Sequence, residues 1–255
     1  MVRKFVRLPF SLAAALALPV AAAAQSLAVG PSVSNFSADL ACAPVSMMEP
    51  PTAPLRIIAS EEAAKYLYGP GDVLIVNAGA NQGLKAGQQY FVRRVVHDRV
   101  TPEVQGFRPV SVHTAGWIVI RDVQANTARA TVTHACDGML EGDYLEPFAA
   151  PTVPEPLQAV GEPDYAHPAR FIMGDERQQS AAAGSMLVLD RGRDAGLVAG
   201  QRLAIFRDTL GGAGPVVDVG DAYVVSLRPH TALVRITAVR DAIYVGDLVA
   251  PYAAR

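Results

Sequence analysis

The residues of this chain with the widest chemical reach are two cysteines, Cys42 and Cys136, and five histidines, His97, His113, His134, His167 and His230. No two histidines stand four apart, the separation at which one helix turns two imidazoles toward a single metal ion, so no metal-ligating set is assigned. His134 and Cys136 alternate on one run and would share a strand face, the beginning of a thiol–imidazole nucleophile. An even pair of cysteines in an exported chain reads instead as a disulfide between Cys42 and Cys136, with two buried free thiols as the alternative. A bridged sulfur attacks nothing. Gly184-Ser185-Met186 lacks the preceding strand and following helix that expose a serine nucleophile. Lys85 is followed by Ala86 and Gly87, and the matching position later in the chain is Val198, so the glycine loops are not phosphate cradles. Glu61-Glu62 and Asp175-Glu176 lie in polar stretches and read as solvated surface, not as carboxylates facing each other across a cleft. The expectation is a chain that is not an enzyme and carries no cofactor and no metal.

Aromatic rings are the other surface that can recognise a ligand, because sugar rings stack on exposed aromatic faces. Tyr90, Phe91, Trp117 and Tyr223 lie inside β-prone runs and read as core, with Trp117 as an anchor; Tyr66 and Tyr68 lie outside the runs and are the candidate ligand contacts.

The elements that must position these groups are announced by an internal repeat. Gly79-Ala-Asn-Gln-Gly83-Leu84-Lys-Ala-Gly87-Gln88 returns as Gly192-Arg-Asp-Ala-Gly196-Leu197-Val-Ala-Gly200-Gln201, a shift from 79 to 192, each copy between two apolar runs. Glycines so placed fit tight connections between strands. Gly142-Asp143 before Tyr-Leu-Glu-Pro147 returns as Gly246-Asp247 before Leu-Val-Ala-Pro251, now at a shift of 104, because the first copy's middle hairpin, His97 through His113, is nine residues longer. Short apolar runs between turn signals predict an all-β chain: two similar small antiparallel β-barrel or sandwich modules in tandem, at residues 54–149 and 168–255. Pro151, Pro154, Pro156 and Pro163 mark a stiff, exposed linker over 150–167, and Ser60 to Tyr68 offers a helical turn or two.

Arg3, Lys4 and Arg7 precede the apolar run Leu12 to Val20 and the small residues Ala22-Ala23-Ala24, so residues 1–24 read as a secretory signal and the mature chain as exported, periplasmic or envelope-associated, with no integral span. Residues 25–53, broken by Pro44, Pro50 and Pro51, read as a partly extended N-terminal arm that the disulfide would pin to the first module. Removing the three signal charges from 22 basic residues leaves 19 against 24 acidic ones, a formal charge of −5 that argues against nucleic acid as partner.

The order Pro-x-Arg-Ile at Pro54, Gly69-Pro70-Gly71-Asp72, the spaced glycines from Gly79, and a closing Gly-Asp-x-Leu-x-Pro resembles the region that accompanies LysM peptidoglycan-binding domains in exported bacterial proteins. It is more distantly similar to the C-terminal barrel of flagellar assembly protein T. The resemblance implies a scaffold that docks an envelope protein partner; a cell-wall glycan (peptidoglycan) binding module is the alternative. The long 97–113 hairpin, the 211–215 hairpin and edge strands are the expected docking surfaces.

Overall fold

The computed structural model describes residues 35–254 apart from 48, 50–54, 63, 97–102, 104–105, 107, 176–177 and 212–213. The secretory-signal reading of residues 1–24 lies outside this range.

Strands arise where the sequence alternates. In Ala128–Ala135, Ala128, Ala130 and Val132 are buried while Arg129 is exposed, the period of two that turns every second side chain inward. The first module comprises α1 (Asn35–Cys42), β1 (Val45–Met47), β2 (Ile57–Ser60), β3 (Val73–Val76), β4 (Gln89–Val96), β5 (Val110–Val123), β6 (Ala128–Ala135) and β7 (Tyr144–Pro147). Its strands lie in the order β2-β3-β6-β5-β4-β7, all antiparallel. A bridge between Arg56 and Tyr144, flanked by Leu145 N–H donating to Leu55 O at 2.7 Å, returns the last strand to the first.

The second module holds β8 (Ala159–Val160), β9 (Ala169–Met173), β10 (Ser180–Ala181), β11 (Met186–Leu189), β12 (Arg202–Arg207), β13 (Val217–Leu227), β14 (Ala232–Val239), β15 (Ile243–Tyr244), β16 (Leu248–Pro251) and β17 (Ala253–Ala254). Six of these, β11-β14-β13-β12-β16-β9, form a closed antiparallel barrel. Strand for strand this is the first module's order, and the registers agree: Val76 faces Ala128 as Leu189 faces Ala232. Ile118, Ile120 and Val132 fill the first barrel; Ala222, Val224 and Ile236, 104 positions on, fill the second. Among the described residues, closure pairs both edges of each of the six strands in the second barrel, so its ladder offers no row of unpaired amides, whereas β1 is paired on one side only, to β5.

The glycine loops are the strand connections expected of them. Gly79 and Gly192 each open a single 3₁₀ turn, closed by Gly83 at φ 83° and Gly196 at φ 82°, a left-handed conformation that side chains rarely adopt. A Cβ on Gly79 would lie 2.2 Å from Gln124 O, and one on Gly192 2.3 Å from Arg228 O, so here the backbones approach too closely for any side chain. Leu84 and Leu197 behind these turns are buried in the two cores.

Three connecting segments differ from the sequence reading. The described residues of Ser60 to Tyr68 form a strand end, a turn and bends and no helix, and Tyr68 is drawn into a β-bridge with Met139. The arm is not merely extended: α1 forms ahead of Pro44, and β1 after it pairs with β5. The 150–167 linker is strapped to the second barrel, with Leu157 N–H on Gly200 O at 2.8 Å, Asp164 N–H on Pro251 O at 2.9 Å, and β8 paired to β17. Prolines keep it extended, and an extended strap satisfies its amides by lying along a barrel.

Candidate functional site

Asp143 and Asp247 follow glycines in the left-handed conformation, Gly142 at φ 90° and Gly246 at φ 107°, and each carboxylate turns back beneath its loop. Asp143 Oδ2 accepts from Leu140 N–H at 2.9 Å, and Asp247 Oδ2 from Tyr244 N–H at 2.8 Å. Each then receives a two-pronged arginine: Arg94 Nε and Nη2 at 2.7 and 2.8 Å from Asp143, Arg207 Nε and Nη2 at 2.7 and 2.9 Å from Asp247. The Asp247 hydrogen bonds hold the Arg207 pKa above its ordinary value. Sequence reading found the two aspartates but missed both arginines. They were legible, since 94 and 207 differ by the 113 that separates the glycine loops. These residues lock a turn to a strand.

The residues with chemical reach gather where the arm passes between the barrels. Cys42, at the end of α1, is bonded to Cys136 at the end of β6, with the Cα atoms 5.6 Å apart. His134 joins them, as the alternation on β6 demands: one of its ring nitrogens and both sulfurs lie within 4.8 Å of one another. With the sulfurs bonded to each other the trio presents no thiolate to a metal or an electrophile. Its surroundings are aromatic. Trp117 stacks on His134 at 4.1 Å between centroids, while Phe91 and Phe148 pack against each other at 4.6 Å beside it. Trp117 is 6% exposed, an anchor as expected and not a ligand platform.

Along the same seam Ser46 of β1 shares a 2.7 Å hydrogen bond with Thr231, ahead of β14, both buried. Buried His113 on β5 reaches Asp175 of the second module through Nδ1 at 3.3 Å and Asp137 of the first through Nε2 at 3.5 Å. The inner end of the 97–113 hairpin is therefore covered: Ser111, Val112 and His113 lie beneath the arm and are not a docking surface. Residues 97–102 of that hairpin lie outside the described range, as do 212–213 of the second.

Buried Arg93 on β4 is paired with Glu146, sits 4.5 Å over the Phe91 ring, and comes within electrostatic reach of Arg228 on the second barrel. Burial, then repulsion from Arg93, lowers the Arg228 pKa from its ordinary value. Burial raises that of the Tyr144 phenol, opposed by Arg93. Arg228 stands at the mouth of a crevice of about 230 Å³ between arm, linker strap and second barrel.

The two candidate ligand tyrosines part company. Tyr66 is 82% exposed, whereas Tyr68 is 2% exposed, in the first core beside Met139, with its hydroxyl 3.2 Å from Glu141. Tyr68 is thus corrected to a core residue: its bridge to β-strand neighbours turns the ring inward, and a paired aromatic platform is not formed. Among the described residues no helix is long and apolar enough to cross a membrane. Compared with known proteins, no family model matches the chain and no curated protein sequence matches it.

Proposed function

We propose that this is a non-enzymatic, exported scaffold of the cell envelope that docks a protein partner through its two repeated barrels. The observation that carries the reading is the way the arm joins them. The disulfide and the β1–β5 ladder fix the arm to the first barrel, while Leu40 and Ala43 pack into an apolar cluster on the second with Ile172 and Met186. A clamp of this kind presents two lobes at a fixed spacing, which is useful to a docking platform. The disulfide also supports an oxidising compartment. The docking face that best fits is the far end of the second barrel. There Val216 and Val217 are exposed, Val217 pairs with Arg207, and the Arg207 guanidinium lies 5.2 Å over the exposed Tyr244 ring.

The test is chemical crosslinking in native envelopes with wild-type protein and with Val216→Asp/Val217→Asp. Loss of the wild-type adducts in the variant supports the reading; an unchanged adduct pattern removes this face from it. Exposed Tyr66 supports the alternative of glycan binding, for which co-sedimentation with cell-wall sacculi, lost in Tyr66→Ala, is the deciding measurement.

A further inference from the structure

The crevice at the seam is built from the arm, the linker strap, and β11, β13 and β14 of the second barrel with the turn between the last two. Leu40, Val188 and Leu233 form an apolar floor, all nine-tenths or more buried. Ser46 and Thr231 stand on one wall, and Arg228 and Ser226 line the cavity as well. Arg228 makes no side-chain hydrogen bond or ion pair with any described residue, although Asp143, Glu146 and Asp247 are each taken by other arginines. Only one proton is used in the bond between the Ser46 and Thr231 hydroxyls, so that pair retains a donor. A cation, a hydroxyl donor and an apolar floor converge on one space.

The fold contains its own control. In the first barrel the counterparts of Val188, Arg228, Thr231 and Leu233 are Ile75, Gln124, Thr127 and Arg129, which line a second depression. There the unpaired cation is absent, Arg129 is held by Glu61 at 2.6 Å, and neither arm nor strap contributes a wall. The two copies have diverged at one equivalent spot: the depressions are similar in size, but the second carries a cation with no ion-pair partner among the described residues over an apolar floor and the first a cation already held by a carboxylate.

We propose that this recess binds the terminal carboxylate of a short peptide, with Arg228 pairing the carboxylate, the Ser46–Thr231 hydroxyls hydrogen-bonding the last amide, and Leu40, Val188 and Leu233 receiving a small apolar last side chain. The volume suits such a ligand: about 230 Å³ lies below the roughly 300–1,000 Å³ of drug-sized sites, enough for a dipeptide end. Guanidinium favours a planar carboxylate because two parallel N–H bonds match its oxygens. Arg93 repels Arg228 while Glu146, the partner of Arg93, attracts it without bonding to it, which leaves the Arg228 guanidinium available to an anion. The inference does not depend on the docking face at the far end of the second barrel.

The test uses the intact, disulfide-bonded protein and calorimetric or NMR titration with N-acetyl-alanyl-alanine in its all-L and all-D forms, and with the C-terminal amide of each. Saturable binding of a carboxylate form, with the amide weaker by about tenfold or more, is expected from loss of one charge-assisted pair. Arg228→Gln should weaken the carboxylate by a similar factor and Arg228→Lys by less, while Gln124→Ala in the first barrel changes nothing. Ser226→Asp, on an exposed wall position, should also weaken it by repulsion and keeps the test sound if Arg228→Gln fails to fold. Preference for the all-L form points to protein C-termini, preference for the all-D form to cell-wall stem peptides. No saturable binding of either acid, equal binding of acid and amide, or full affinity in a folded Arg228→Gln protein overturns the proposal.

Discussion

Replacing Cys42 and Cys136 by serine should weaken the fold by about 3–4 kcal/mol, and the number can be worked from the chain. The two residues are 94 apart, and a cross-link closing a loop of that length removes about 4.6 kcal/mol of conformational freedom from the unfolded ensemble at 25 °C. That figure is a ceiling, because an unbridged arm has a second way out: it can leave the seam while the barrels stay folded. Against such release stand three residue pairs between β1 and β5, the buried Leu40, Ala41 and Ala43, and the Ser46–Thr231 bond. Denaturant unfolding followed by fluorescence is suited to the question, since the chain has one tryptophan and Trp117 belongs to the cluster against which Cys42 and Cys136 pack. The intact protein should unfold in one transition reported by Trp117; the double serine variant should unfold at lower denaturant, with arm release preceding loss of β-structure by circular dichroism. A shift worth less than about 1 kcal/mol, with coincident fluorescence and dichroism curves, would refute the arm as a clamp.

Asp143→Asn and Asp247→Asn should each cost about 2–3 kcal/mol, nearly equally. Each breaks a two-pronged pair to an arginine that is still a quarter exposed, which keeps the loss below the full penalty for a buried pair; double-mutant cycles with Arg94→Ala and Arg207→Ala measure it. Gly79→Ala and Gly192→Ala should destabilise more than Gly142→Ala, because the first two drive a Cβ into backbone oxygen while the last meets open space and pays only the left-handed strain of about 1–2 kcal/mol; thermal melts of the three variants rank them. The Lys65 hydrogen bond and the Gly69 N–H hold the Asp72 pKa below its ordinary 3.8, so its contribution to stability is present above that value and is lost as pH falls through the lower, folded one. Asp72→Asn should therefore lower the melting temperature at neutral pH and flatten its decline in acid.

The barrels were readable because closed antiparallel ladders impose local rules on every strand. Alternation gave the inward set on β6, and the need for a left-handed residue after each 3₁₀ turn gave Gly83 and Gly196. The cysteine pair was readable for a different reason, an even count of two. What escaped was decided by contacts between distant segments. Tyr68 looked superficial because no periodic run contains it, yet one backbone bridge to Met139 sends its ring into the core. Arg94 and Arg207 drew no reading from the sequence, because the carboxylates opposite them, Asp143 and Asp247, lie 49 and 40 residues away. The arm and linker carried no periodicity at all, since their amides and side chains are satisfied by barrels that the local sequence does not describe.

Divergence between the copies explains why the arm lies where it does. Leu40 and Ala43 of the arm rest on an outer face of the second barrel that includes Ile172, Val188, Val225 and Leu233, while Ala41 packs with Phe91 and Trp117 of the first. The equivalent positions on the first barrel are Ile58, Ile75, Arg121 and Arg129. Covering Val225 and Leu233 gains about 1.5–3 kcal/mol each, while covering Arg121 or Arg129 with Leu40 would strip water from a guanidinium without offering it a new partner. Two positions out of a shared face thus set a difference of several kcal/mol between two otherwise equivalent seats. Ile58 remains 47% exposed on the seat not taken, and Arg129 is engaged by Glu61 beside it. Duplication alone would have left two like barrels with two like faces. The apolar residues on one of them gave Leu40 and Ala43 a face to cover while the rest of the arm is held by the first barrel, and covering it formed one wall of the recess at Arg228.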